Sequence, residues 1–184
     1  HANLDAFHLV LSAIKKDNVE KILIAGDFIG YYYHPEKVID LCMSREDIFC
    51  IKGNHDQNLI KALDDEELMS DLVDKYGSSY RISRDKLSEK QINWIDNLPT
   101  ILEIELSKKT ITMAHGSLNN SNEYIYPDKS NTHLQKNLSK SKYTILGHTH
   151  YTFAWCSGEQ WLINPGSVGQ PRDQSAFSSY FILD

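Results

Sequence analysis

Five short polar clusters punctuate this chain of 184 residues: His1-Ala2-Asn3, Gly26-Asp27, Gly53-Asn54-His55-Asp56, His115-Gly116 and Gly147-His148-Thr149-His150. Imidazole, carboxylate and amide oxygen without thiolate form a donor set suited to first-row divalent ions such as Mn, Fe, Co, Ni or Zn. Any one of these histidines alone would ordinarily be a hydrogen-bonded structural residue. Their recurrence beside other donors argues instead for one shared centre. In His148-Thr149-His150, read as strand, the i, i+2 spacing sends both imidazoles to one face, close enough to engage neighbouring ions.

The elements that must carry these clusters follow from hydrophobic periodicity. Leu4, Phe7, Leu11 and Ile14 repeat with the 3.6-residue period of a helix, with Asn3 in place to cap it. Lys21 to Ala25 and Ile48 to Lys52 are short apolar runs, each ending in a glycine-led cluster, and read as buried strands. Between them a helix opens at Pro35 and turns Val38, Ile39 and Cys42 inward, an order that implies a parallel sheet. Residues 57–98 become polar and helical, with a capping box at Ser88 and Gln91. Strands return in the second half. Ile101 to Leu106 and Thr110 to Ala114 flank the turn Ser107-Lys108-Lys109, and a helix near Thr132 to Leu138 leads into a strand from Tyr143 to Leu146. Phe153 to Cys156 and Trp161 to Ile163 make a second hairpin, and Ser178 to Leu183 reads as a last strand. The expected fold is α/β: two packed mixed β-sheets flanked by helices, an αββα four-layer sandwich forming one domain over residues 1–184. Loops at strand ends are where such sheets assemble sites.

Composition narrows the function classes. A net charge of −6 disfavours a surface that tracks a nucleic-acid duplex. A small phosphorylated substrate remains compatible, because bound cations reverse the local field. No apolar stretch is long enough to span a bilayer. Cys42, Cys50 and Cys156 have no metal-type spacing and read as reduced thiols of a cytoplasmic protein. Because the chain opens directly on a helix and stops within a strand-like run, a first β-strand and a C-terminal strand are expected to be missing from it.

In order and spacing the clusters resemble the motifs of the calcineurin-like metallophosphoesterases over nearly the whole chain, with the family's first aspartate falling two residues before His1. The small bacterial and archaeal phosphodiesterase branch is resembled more closely, through Gly30-Tyr31, Pro35, Ala114-His115-Gly116-Ser117 and the segment from Asn164 to Arg172. The resemblance implies two divalent ions, one held by His1, Asp27 and His150 and the other by Asp27, Asn54, His115 and His148, with Asp27 bridging. It further implies attack on a phosphoester by hydroxide held between the ions, with His55 assisting the leaving group. Asp56 is left between orienting a neighbour and capping the helix that follows at Gln57. Arg172 and Tyr31 stand as substrate contacts, against a plain loop role for the arginine and helix packing for the tyrosine. Gly30 occupies the place of an aspartate in Ser/Thr protein phosphatases, which weakens a protein-phosphatase assignment; the expected partner is a small phosphorylated substrate, nucleotides included. The contrasting class is a non-catalytic scaffold, as in a retromer subunit of similar fold that has lost catalytic histidines; the retained His55 favours an enzyme. Specificity among phosphoesters lies in the variable loops.

Overall fold

Asn3 caps the first helix, α1 (Leu4–Lys16), by accepting the Ala6 N–H at 3.2 Å, and Phe7, Val10 and Ile14 face inward at helical spacing. The computed structural model describes residues 1–184 and continues with β1 (Ile22–Ile24), α2 (Pro35–Met43) and β2 (Ile48–Cys50). The two strands pair in parallel, Ile22 opposite Ile48 and Ile24 opposite Cys50. Both end before their apolar runs do. The ladder gives out at the bond from Ile51 N–H to the Ile24 carbonyl (3.2 Å), and the chain then turns into the glycine-led loops.

The helical stretch comprises α3 (Asn54–Ala62), α4 (Glu66–Tyr76), α5 (Ser79–Lys86) and α6 (Glu89–Asp96). It opens at Asn54, earlier than periodicity suggests, because the polar cluster itself forms the first turn. At α6 the capping box forms as expected, with Ser88 N–H donating to Gln91 Oε1 at 2.9 Å. The second sheet has five strands in the order β3 (Ile101–Leu106), β4 (Lys109–Ala114), β5 (Tyr143–Ile145), β7 (Gln160–Pro165), β6 (Thr152–Ser157). Its two hairpins are antiparallel, whereas β4, β5 and β7 run parallel, and α7 (Asn131–Lys136) precedes β5.

Three apolar clusters define the layers. Phe7, Phe28, Ile39, Leu59, Leu72 and Ile95 join α1 to α6 over the first sheet. Ile51 meets Ile111, Met113 and Ile145 between the two sheets, with Leu23 packed against them. Ala114, Leu134, Leu146, Phe153 and Leu162 lie together on the far side, under α7. The alternation of Met113 and Ala114 along β4 puts these last two clusters on opposite faces of the second sheet. The result is the helix, sheet, sheet, helix sandwich that the pattern implies.

Where the sequence predicts a strand from Ser178 to Leu183, the backbone joins no ladder. Hydroxyls hold this tail instead: Ser178 Oγ donates to the Val168 carbonyl at 2.6 Å, and Ser179 Oγ accepts the Ser167 N–H at 3.1 Å. All three cysteines are free, and no helix is long and apolar enough to cross a membrane.

Candidate metal centre

β1 and β2 end side by side, and one buried carboxylate locks the loops that follow them. Asp56, fully buried, accepts the N–H groups of Gly53 (2.8 Å), Asp27 (2.8 Å), Phe28 (2.9 Å) and Ile29 (3.4 Å). Asp56 does not cap a helix at Gln57: α3 already starts at Asn54, and from its third position Asp56 bonds back to the Gly53 N–H, while most of its bonds go to the other loop. Asp27 answers by accepting the His55 N–H at 2.9 Å through Oδ1. Gly53 makes the close approach possible, since a Cβ there would overlap the Asp27 carboxylate.

Asp27, His148 and His150 all adopt left-handed backbone (φ 62°, 59° and 60°), a conformation that costs a non-glycine residue about 1–2 kcal/mol. The strand geometry expected for His148-Thr149-His150 is thus replaced by a loop, and the two imidazoles diverge into different donor groups. Asn164, fully buried, pins this loop: its amide donates to the Gly147 carbonyl at 2.5 Å and to Thr149 Oγ1 at 2.9 Å, while its oxygen accepts the Gly166 N–H at 2.9 Å.

Two sets of donor atoms result, each within 4.8 Å: His1, Asp27 and His150, and Asp27, His115 and His148. Asp27 is common to both. Asn54 Oδ1 joins the second set, 2.9 Å from His115 Nε2 and 3.0 Å from His148 Nδ1. His55 stands outside both sets, with its ring centroid 5.1 Å from that of His1 and its Nδ1 2.8 Å from the hydroxyl of Tyr80. At the rim Arg172 donates to Tyr31 Oη at 2.6 Å, and the Tyr31 ring sits 4.9 Å from His1. Tyr124, half exposed, lies 4.1 Å from His148 by ring centroids.

The backbone fixes how the imidazoles present themselves. His1 Nδ1 bonds the Ile29 carbonyl (3.0 Å), His115 Nδ1 that of Ala25 (2.6 Å) and His150 Nδ1 that of Gln170 (2.7 Å). A carbonyl only accepts, so in the neutral ring each Nδ1 carries the hydrogen and each Nε2 turns a lone pair inward. The lone pairs of His1 and His150 then face each other at 2.8 Å, and that of His115 faces Asp27 Oδ2 at 3.1 Å. Asp27 Oδ2 and His148 Nε2 are buried without a hydrogen-bond partner. Crowded acceptors with nothing to accept from repel one another, and a divalent cation in each set relieves the repulsion. The residues present therefore fit two ions.

Protonation follows the same logic. Burial opposes charge on His115, but the Asp27 carboxylate outweighs it and the imidazole pKa is raised. Burial likewise works against ionised Asp27, yet His115 holds it well below the usual carboxylate range. His148 is lowered to about 4, by burial and then by His115. His150 is lowered to about 3, by burial and then by Arg172. The His150 set is thus ready to bind at neutral pH, whereas in the other a proton on His115 Nε2, favoured by Asp27, competes with an ion.

A two-sheet α/β sandwich that gathers imidazoles around one carboxylate at its strand ends has the form of a metallohydrolase. Residues 1–184 match the calcineurin-like phosphoesterase superfamily domain along their whole length, and the chain belongs to that family. Membership implies metal-dependent phosphoester hydrolysis, in a family that also contains non-catalytic members. An uncharacterized protein of Methanocaldococcus jannaschii, MJ0912, is 30% identical over 204 residues, covering all of this chain and 79% of the relative. The crystal structure of a metallophosphoesterase from Sphaerobacter thermophilus aligns with a TM-score of 0.76 at 25% identity, over 95% of this chain and 76% of that one. A hypothetical protein from Pyrococcus horikoshii OT3, PH1004, shares the fold with a TM-score of 0.74 at 20% identity, over 91% and 72% of the two chains.

Tyr80, Asn164 and Tyr124 border the centre without having been marked by type or spacing. Asn164 lies in the segment that carries the branch resemblance, which was the available signal; the two tyrosines had none.

Two outcomes follow. Asp56→Ala strands the N–H groups of two buried loops, at about 1–3 kcal/mol for each group left unsatisfied. Denaturant unfolding should show a loss of at least about 3 kcal/mol, together with weaker metal uptake through the displaced Asp27. Metal binding should also expel the His115 proton. Calorimetry in buffers of different ionisation enthalpy should detect its release, with affinity at the His115 set falling as pH drops through the raised His115 pKa; binding without proton release across that range would contradict the assigned protonation.

Proposed function

We propose that this protein is a metal-dependent phosphoester hydrolase acting on a small phosphorylated substrate, with nucleotides among the candidates. The observation that carries the reading is the meeting of two sets of inward-facing acceptors at Asp27. Unmet buried acceptors are unfavourable and serve no purpose in a scaffold.

His1, Asp27 and His150 would hold one divalent ion, and Asp27, Asn54, His115 and His148 a second, drawn from Mn, Fe, Co, Ni and Zn. Bound there, such ions supply an activated water and neutralise charge on the phosphoryl oxygens. Asp27 keeps the two sets at fixed separation, because its backbone is clamped by Asp56. Arg172 offers its remaining guanidinium N–H groups to a phosphate oxygen at the rim, with Tyr31 fixing its orientation. His55 donates a hydrogen bond to the oxygen that departs, and its position outside both donor sets leaves it free to do so.

The test is a panel of phosphomonoesters, phosphodiesters and dinucleoside polyphosphates, assayed with metal-free protein reloaded separately with each ion. Turnover should require metal, and Asp27→Ala should lower it by about 10³-fold or more while reducing metal content at both sets. Full activity of that variant would defeat the reading.

His55→Ala should keep its metal and distinguish leaving groups. Nitrophenolate departs unaided, so the loss there should be modest; an alkyl or nucleoside ester should lose about 10²–10⁴-fold. Kinetics on a matched pair of diesters measures the difference.

A further inference from the structure

Tyr80 sits on α5, away from every motif, and is completely buried. Its hydroxyl lies 2.8 Å from His55 Nδ1, and its ring stacks on the imidazole at 5.8 Å and 26°. Tyr76 and Tyr31 approach the same imidazole at 4.7 Å and 5.0 Å. Gly30 leaves the space that this arrangement needs: at φ +88°, a Cβ on residue 30 would lie 2.5 Å from His55 Nδ1. The start of α5 is tied to the same loop, with Ser79 Oγ accepting the Tyr31 N–H at 2.9 Å.

The hydrogen bond between Tyr80 and His55 has a direction. Burial pushes the phenol well above the usual tyrosine range, so it remains an O–H donor. Nδ1 of a neutral imidazole receiving that hydrogen must be the lone-pair nitrogen, and the ring hydrogen then resides on Nε2. We propose that Tyr80 is a positioning residue for His55: its hydroxyl selects the Nε2–H tautomer, so that His55 presents a hydrogen and not a lone pair to the departing oxygen. The proposal rests on the leaving-group role given to His55 above. Without the phenol hydrogen, the Nδ1–H tautomer becomes available and would set a lone pair against a negatively charged oxygen.

Tyr80→Phe removes the hydroxyl and keeps the ring. In the metal-loaded protein it should lower kcat for an alkyl or nucleoside diester by about tenfold, with a clearly smaller loss for the nitrophenyl diester and unchanged metal content. Added to His55→Ala, it should cause no further loss. Imidazole nitrogen and carbon-bound proton correlations in ¹⁵N-histidine-labelled protein should report Nε2–H at His55 in the native chain and a tautomer mixture in Tyr80→Phe. An Nδ1–H tautomer in the native chain overturns the proposal whether or not the variant folds. So do equal losses for both leaving groups, or losses that add to those of His55→Ala. If His55→Ala discriminates leaving groups while Tyr80→Phe does not, this proposal alone fails. If His55→Ala shows no discrimination, the leaving-group role fails, and the spectra still decide whether Tyr80 sets the tautomer.

Discussion

One buried carboxylate decides whether there is a centre at all. Asp56 accepts N–H groups from the loops after both β1 and β2, and thereby holds Asp27 against Asn54 and His55. Without that link the loops would be separate excursions from two short parallel strands, whose ladder ends at Ile51. The arrangement places two acidic groups in one buried shell. Burial and the charge of Asp27 push Asp56 up to about 6, against the opposing Gly53 N–H. Positive charge beside Asp27 would relieve both carboxylates, so the demand for cations comes from the supporting residues as well as from the inward-facing donors.

The second constraint is the ring of backbone carbonyls behind the imidazoles. Ile29, Ala25 and Gln170 each claim an Nδ1 hydrogen, and all three lie in loops beyond strand ends. Rings held from behind cannot turn to satisfy themselves, which preserves the unfavourable approach of His1 and His150 at 2.8 Å. Left-handed backbone at Asp27, His148 and His150 belongs to the same economy of position. Such strain persists only where surrounding bonds over-determine it, here Asp56 on one side and Asn164 on the other.

Much of this was legible in the sequence because donors and glycines cluster at the ends of apolar runs, and those runs keep their periods. Phe7, Val10 and Ile14 line the inner face of α1, and the α6 capping box forms between the residues that spell it. The misses share a cause, namely that a partner distant in sequence decides the outcome. Residues 178–183 have the composition of a strand, but the serines bond the 167–168 backbone and no sheet edge receives them. His148 and His150 have strand spacing, but Asn164 fastens their loop. Tyr80 reads as a single buried face of a polar helix, and only the fold brings it to His55.

The chemistry of that last contact suits its surroundings. His55 is enclosed by Tyr31, Tyr76 and Tyr80, and burial lowers its pKa to about 4, with the neighbouring imidazoles His115 and His148 acting in the same direction and Asp27 opposing. A carboxylate partner at Nδ1 would favour imidazolium; a phenol donor does not. Next to donor sets that fit cations, with Arg172 at the rim, an imidazolium would be a further positive charge in a poorly solvated space. A neutral ring with its hydrogen held on Nε2 avoids that repulsion and still stabilises negative charge on a departing oxygen. Gly30, which leaves room beside Nδ1, and the phenol that α5 places there are then two halves of one electrostatic arrangement.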